Sequence, residues 1–379
     1  MRSSRRYVLA LPFIVGSLSL ACTTIGQSSG ASGSTGTSGT SGTSGSSGAE
    51  GGAAGALSAS TFLYVAKAAN DRDVLMAYDR ASGGQPRTVT DLRGDGSDGW
   101  AINGYSISPD RTRIAIASLY GPTKEDVDTK LPTNRIWTLA PDGSDFRRLT
   151  PVFENTAAGR SQFVIEVRNP AFSPSGADLL YNYGEYFYEG NTLRGGSGIW
   201  GVKAGGGTLP SLFKAPSPCS LVDPTFDPKT GKVTIIHSVC IPPAQDGIYL
   251  YAADGSGTPE KLVGSDAAAL DVGLEPPRWV ADGSGFVFVA TTTVVINGSN
   301  ALVRGLFAFD METRKTTPVV VPQEADTSVV DGAIAPDATA IVYCVRRGEA
   351  ANLHLIDLTK TPATDAAITS DGKSCHPVW

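Results

Sequence analysis

From residue 58 onward, short apolar runs alternate with polar turns, and the arrangement recurs. Ser106-Ile107-Ser108-Pro109-Asp110 leads into Ile114-Ala115-Ile116-Ala117. Phe172-Ser173-Pro174-Ser175-Gly176 leads into Leu179-Leu180-Tyr181, and Phe226-Asp227-Pro228-Lys229-Thr230-Gly231 into Val233-Thr234-Ile235-Ile236. Trp279-Val280-Ala281-Asp282-Gly283 precedes Phe286-Val287-Phe288-Val289, and Ile334-Ala335-Pro336-Asp337 precedes Ile341-Val342-Tyr343. The turn centres at 109, 174, 228, 281 and 336 step by 65, 54, 53 and 55 residues. A second unit of strand, polar turn and strand follows each of these. Ile136-Trp137-Thr138-Leu139-Ala140 runs through Pro141-Asp142-Gly143-Ser144 to Arg147-Arg148-Leu149-Thr150. Ile248-Tyr249-Leu250-Tyr251 runs through Asp254-Gly255-Ser256-Gly257 to Lys261-Leu262-Val263, and similar strands open at Val74, Ile199, Leu306 and Leu353. Period-two alternation predicts half-buried strands, and Asp-Gly predicts tight turns.

Four strands per repeat of about 40–55 residues is the pattern of a β-propeller blade. The first repeat has no approach strand and starts directly with Thr61-Phe62-Leu63-Tyr64-Val65. The last residues, His376-Pro377-Val378-Trp379, read like Pro276-Pro277-Arg278-Trp279 just before a turn. The expectation is an all-β, six-bladed β-propeller of four-stranded antiparallel blades over residues 58–379. Its ring is closed by the C-terminal strand joining the first blade, which leaves fewer exposed sheet edges. These residues resemble the propeller of TolB and related WD-like repeats, whose hallmark is an aromatic, then Ser-Pro-Asp-Gly, then a strand. No copy keeps the full Ser-Pro-Asp-Gly: Ser108-Pro109-Asp110-Arg111, for example, lacks the glycine, and Val280-Ala281-Asp282-Gly283 lacks Ser-Pro. TolB also carries an α/β domain before its propeller, where this chain has linker. The resemblance therefore implies the architecture and, by analogy, capture of an envelope protein or peptide.

Residues 1–21 form a signal peptide. Arg2, Arg5 and Arg6 make a positive start, Val8 to Leu20 is apolar and uncharged, and Leu18-Ser19-Leu20-Ala21-Cys22 closes the segment. The apolar run is too short for the roughly 20 residues that cross a bilayer. The segment resembles the lipoprotein signal family, in which the cysteine becomes the diacylated first residue. That implies a membrane anchor on Cys22; the alternative is an ordinary secretory signal with a coincident cysteine. Ser4-Arg5-Arg6-Tyr7-Val8-Leu9 also resembles a twin-arginine export motif. By resemblance to Gram-negative lipoproteins, Thr23 after the cysteine implies the outer membrane, facing periplasm or cell surface.

After Cys22, residues up to 57 are almost wholly Gly, Ser, Thr and Ala, with the repeat Gly36-Thr37-Ser38-Gly39-Thr40-Ser41-Gly42-Thr43-Ser44. Such a segment cannot build a core and is expected to be a disordered tether. At about 5–6 Å × √n its mean span is roughly 30 Å.

A net charge of −6, from 31 basic and 37 acidic residues in 379, argues against nucleic-acid binding. With 44 Gly and 24 Pro, the composition suits many short strands joined by turns, and the propeller is expected to be a monomer. Four cysteines remain after Cys22. Cys219 and Cys240 are symmetric about (219 + 240)/2 = 229.5, inside the turn Pro228 to Gly231, so a hairpin register centred there sets them opposite. Cys344 pairs with Cys375 by elimination and would pin the closing strand to the last blade. Buried free thiols are the alternative.

Candidate chemistry is sparse. His237, His354 and His376 are the histidines, the first two within apolar strands, and no His pair has metal-ligand spacing with a third ligand nearby. No metal or cofactor is expected. There is no Gly-x-Ser-x-Gly elbow. Asp95-Gly96-Ser97-Asp98 and Asp142-Gly143-Ser144-Asp145 fit turn chemistry rather than a calcium loop. Glu185-Tyr186-Phe187-Tyr188-Glu189 reads as an aromatic insertion. Tyr186, Phe187 and Tyr188 are candidate partner anchors on a loop, or else rings packed in a longer strand. Tyr120 to Asn134 reads as a solvated surface loop. Two functions follow. The first is a non-catalytic binding scaffold, with no catalytic residues. The second is a polysaccharide lyase or hydrolase at the channel mouth, for which Asp223, Glu275 and Asp331 lie near strand ends. Convergent acid, base and cation in one pocket would favour the enzyme.

Overall fold

Val, Ile and aromatic runs favour strands, and apart from one 3-10 turn at Pro243–Gln245 the described chain forms strands and their connections. The computed structural model describes residues 55–68, 73–90, 102–118, 134–150, 160–189, 192–209, 213, 219–264, 270–273, 275–296, 298–324 and 326–379. The signal segment, Cys22, nearly all of the tether, Asp95 to Asp98 and nearly all of the insertion from Tyr120 to Asn134 lie outside them.

The first sheet contains β1 (Thr61–Lys67), β2 (Asp73–Asp79) and β3 (Arg87–Thr90). The second contains β4 (Ile102–Ile107), β5 (Ile114–Ser118), β6 (Arg135–Leu139) and β7 (Arg147–Arg148). The third is β8 (Arg160–Phe172), β9 (Asp178–Glu189), β10 (Thr192–Lys203) and β11 (Thr208–Leu209). The fourth is β12 (Ser220–Phe226), β13 (Val233–Ser238), β14 (Gly247–Tyr251) and β15 (Glu260–Gly264). In the fifth, β16 (Asp271–Val272) and β17 (Arg278–Trp279) both pair with β18 (Gly285–Ile296), followed by β19 (Ser299–Asp310) and β20 (Lys315–Val320). The inner strand is split there around Pro276-Pro277, which have no N–H to give the ladder. The sixth is β21 (Thr327–Ile334), β22 (Ala340–Arg347), β23 (Ala350–Asp357) and β24 (Thr364–Ala367). The last strand, β25 (Ser374–Val378), pairs antiparallel with β1 and completes the first sheet. The ring is a six-bladed β-propeller closed by its C-terminal strand.

Six hydrophobic clusters occupy the six junctions between neighbouring blades. One joins Leu63 and Leu75 to Ile116 and Trp137, another joins Ile236 and Ile248 to Phe286 and Phe307, and the sixth joins Phe62 and Tyr64 to Val342 and Leu353. This corrects the expected alternation. Every residue of Ile114–Ser118 is buried, as is every residue of Arg135–Leu139, because each blade is covered on both faces. Middle strands therefore need apolar residues in continuous runs. Leu57 is also buried and packs with the first cluster, so ordered packing starts inside the stretch expected to be tether.

Two disulfides form, Cys219–Cys240 and Cys344–Cys375. The second ties β22 of the sixth blade to β25 of the first. The first has the expected partners in a different register. Thr225 faces Thr234, as a centre at 229.5 requires, but a bulge slips the ladder so that Val222 faces Ile236 and Ser220 faces Ser238. Continued, that register sets Cys219 against Val239. Val239 adopts a positive φ of 54°, and Cys240 rather than Val239 meets Cys219.

Candidate functional site

The bulge in the fourth blade is one of a set. Ladder shifts occur between Ile102 and Tyr105, Arg168 and Ala171, Val222 and Thr225, and Val329 and Asp331, and β25 shows one opposite Leu63–Val65. Gly104, Asn169, Asp223 and His376 sit at these places with φ of 100°, 49°, 56° and 53°. Bulges re-aim side chains, and here they bring Asn169, Asp223, Asp331 and His376 from four blades toward the axis, where Arg278 of the fifth joins them. The fourth-blade sequence Asp223-Pro224 and its relatives Asn169-Pro170 and His376-Pro377 suit this, since proline lacks the N–H that a bulge leaves unpaired.

Contacts link neighbouring blades around the axis. Asn169 Nδ2 donates to Asp223 Oδ1, as does Asn182 Nδ2 at 3.0 Å, and the Asp223 amide donates to Asn182 Oδ1 at 2.6 Å. Arg278 and Asp331 are 3.7 Å apart, and His376 Nδ1 lies 3.5 Å from Asp331 Oδ2. The Tyr105 hydroxyl donates to the His376 carbonyl. At the second blade a Cβ on Gly104 would overlap Asn169, so that position admits only glycine. Burial pushes the Asp223 carboxyl up to about 6, against the opposing pull of Arg168, Asn169, Asn182 and Arg278. Asp223 Oδ2, Arg168 Nε and Arg278 Nε are buried without hydrogen-bond partners.

Beyond this ring lies a cavity of about 160 Å³, whose lining includes Asn169, Phe172, Phe226, Arg278, Trp279 and Trp379. All six inner strands contribute residues that follow the polar ring in sequence. The six therefore run the same way along the axis. The Ser-Pro-Asp-type turns all fall at the cavity end, called here the turn face, and the β13–β14 and β18–β19 connections at the opposite end, the loop face. The turn face is tightly capped. Asp110, Asp142, Asp254, Asp282, Asp310, Asp337 and Asp357 each accept a backbone N–H two residues on. The Ser144 hydroxyl and amide hold the Asp142 carboxyl below the usual range, which explains the Asp-Gly-Ser-Asp turn without a metal. The chain enters at this face, where the Leu57 amide donates to the Arg111 carbonyl at 3.0 Å.

The three acidic residues expected near the channel divide. Asp223 and Asp331 belong to the polar ring. Glu275 is bound instead by Arg304. Of the two readings of the aromatic stretch, the structure takes the longer strand: Glu185 to Glu189 lies in β9, paired along its length with β10. Phe187 is buried and Tyr186 half-buried, so the blade interior claims these rings; the Tyr188 side chain lies outside the described residues. Among the described residues, five large hydrophobics stand exposed: Val239 (79%), Ile241 (73%), Val295 (64%), Leu302 (46%) and Trp200 (40%). Four of the five lie on the loop face of two adjacent blades, Val239 and Ile241 after β13, and Val295 and Leu302 near the β18–β19 tip. Thr293 faces Leu302 and Asn300 faces Val295, placing both apolar residues on one side of that hairpin.

Sequence reasoning missed the bulge ring, this apolar rim, and the gathering of His237 beside Cys219 and Cys240. The X-Pro dipeptides were the available signal for the first.

TolB from Acinetobacter baumannii superposes with a TM-score of 0.57 at 17% identity, covering 84% of this chain and 66% of that one. The fold is a TolB-like six-bladed β-propeller. A putative TolB from Agrobacterium tumefaciens aligns at TM-score 0.47 and 14% identity, over 82% of this chain and 88% of that one. Kuenenia stuttgartiensis hydrazine synthase aligns at TM-score 0.54 and 12% identity, over 84% of this chain and 46% of that one. The chain thus spans 66% of the first and less than half of the last, and at these identities the likeness concerns the fold alone. No family model matches the sequence, and no curated protein matches it. A TolB-like propeller is a scaffold that occurs in proteins of different kinds, so its use rests on the residues it displays.

Proposed function

We propose that this protein is an outer-membrane lipoprotein, anchored through Cys22, whose TolB-like propeller is a non-catalytic scaffold that binds an envelope protein. The apolar rim of Val239, Ile241, Val295 and Leu302 carries this reading. Exposed apolar side chains grouped on one rim are what partner surfaces offer. The tether joins at the turn face, so the rim is on the side of the ring away from the anchor. The partner is therefore a protein reached across the envelope rather than the anchoring bilayer.

Crosslinking and pull-down from membranes test this. The wild-type chain should enrich an envelope protein, and Ile241→Asp with Val295→Asp should cut recovery at least about tenfold, a loss of about 1.4 kcal/mol. Replacing Cys22 with Ser should release an intact propeller into the soluble fraction. A second reading, a propeller enzyme acting on polysaccharide, draws on Asp223, Arg278, Asp331 and His376 meeting around the axis. Asp223 is fully buried, which withholds it from a polymeric substrate. Turnover of a glycan panel, with recovery unaffected by the rim variant, would reverse the ranking.

A further inference from the structure

On the loop face of the fourth blade, the sulfurs of Cys219 and Cys240 and a ring nitrogen of His237 all lie within 4.8 Å of one another. No second group of His, Cys and carboxylate side chains gathers this closely among the described residues. His237 is almost wholly buried, stacks on Tyr249 at 3.8 Å, and shares a 2.5 Å hydrogen bond between Nε2 and the Tyr251 hydroxyl. Its Nδ1 is buried with no partner. Such orphaned buried atoms are uncommon, because the hydrogen bond to water lost on burial is not replaced. Cys219 is half-buried and within reach of a small reductant, while Cys240 is buried. Asp246 stands alongside, its Oδ1 accepting the Cys240 amide at 2.8 Å.

We propose that reducing the Cys219–Cys240 bridge creates a Zn²⁺ site whose ligands are the two thiolates and Nδ1 of His237. The reductant is a dithiol. It gives two electrons and two protons to the bridge and becomes a disulfide itself, while the S–S bond breaks to two thiols. Zn²⁺ then displaces the two thiol protons to solvent. Two thiolates and an imidazole form a borderline-soft donor set suited to Zn²⁺, leaving a fourth position for water or the Asp246 carboxylate. Metal binding at Nδ1 selects the tautomer in which Nε2–H donates to the Tyr251 oxygen, and that bond then holds the ring with its Nδ1 lone pair toward the metal. Metal-binding histidines are generally oriented in this way. The site is independent of the partner-binding reading.

The test uses the full chain in detergent, metal-free, either oxidised or reduced with a phosphine that does not itself offer thiolates. Zn²⁺ is titrated against a chromophoric chelator. Reduction should tighten Zn²⁺ binding at least about 100-fold, and His237→Ala should reverse most of that gain. Tyr251→Phe should weaken reduced-state binding about tenfold, as loss of an outer partner does. Co²⁺ added to the reduced wild type should give thiolate-to-metal charge-transfer absorption and intense tetrahedral visible bands. The Cys344→Ser, Cys375→Ser variant should keep the site, which assigns it to the fourth blade. Zn²⁺ binding no tighter after reduction, a folded His237→Ala that binds as well as wild type, or a Co²⁺ spectrum without tetrahedral bands would each overturn the proposal.

Discussion

The two disulfides close chain segments of similar length, 21 and 31 residues, yet they serve different parts of the molecule. By loop entropy the difference is worth only about 0.3 kcal/mol, each bridge contributing about 3–4 kcal/mol. Location separates them. Cys344–Cys375 is buried and fastens the last blade to the strand that closes the ring. Cys219–Cys240 stays within one blade, at a rim with exposed apolar residues. One holds the architecture, and the other lies beside the exposed apolar side chains of the loop face. The same division runs through the ring. The turn face is a set of short turns, most of them capped by an aspartate, while the loop face carries 12-residue hairpin strands and the apolar rim.

The largest expected effect tests that division directly. Cys344→Ala with Cys375→Ala should cost about 4 kcal/mol in urea unfolding and speed amide exchange throughout β25. Cys219→Ala with Cys240→Ala should cost about 3 kcal/mol or less and leave β25 exchange unchanged. Equal loosening of β25 by both pairs would erase the distinction.

Next is the channel, which belongs with the architecture. The raised pKa of Asp223 means that the folded protein holds this proton more tightly than the unfolded chain does. The cost of ionising it is absent below about pH 4 and complete above about pH 6. Asp223→Asn removes that cost. Its stability relative to wild type should therefore rise by about 3 kcal/mol from pH 4 to pH 7, read from urea midpoints at several pH values. A difference that stays flat with pH would place Asp223 outside the buried network.

Trp379 sharpens the view of the seam. Its ring centre lies 5.3 Å from that of Phe62, its Nε1 donates to the Ala59 carbonyl at 2.8 Å, and Arg80 sits 5.5 Å over its ring. Trp379→Ala should cost about 2 kcal/mol, below the value for a fully buried tryptophan because this one is only half-buried. The smallest effect is expected at the rim, where Ile241→Ser with Val295→Ser should change stability by no more than about 0.5 kcal/mol. A larger loss there would make the rim part of the core and weaken the case for a partner.

Much of the propeller was legible because its signals are local. Pro109-Asp110 and Pro336-Asp337 mark turns by their own dihedral and hydrogen-bonding preferences, and the strand after each declares itself by apolar content. The match of His376-Pro377-Val378-Trp379 to the segment ending at Trp279 was enough to anticipate closure by β25. The site was much less legible. Tyr186 and Phe187 could be named from the sequence, but which way a ring points depends on strand pairing, and β9 turned Phe187 inward. The Cys219–Cys240 partnership could be anticipated by symmetry about a turn, whereas the one-residue slip that brought His237 beside it came from a bulge on the facing strand.

The sequence by itself determined the strands, the turns, their sixfold repetition and the closing segment, since each depends on residues near one another in the chain. The signal peptide, the anchor at Cys22 and the tether are expectations from the sequence, and nearly all of those residues lie outside the described ones. Only the tertiary structure decided that Asp223, Arg278, Asp331 and His376 meet around one axis. It likewise decided that Ile241 and Val295 share a rim. These residues come from different blades, and their spacing is set by ring closure and by bulges that re-aim side chains. No local preference encodes either.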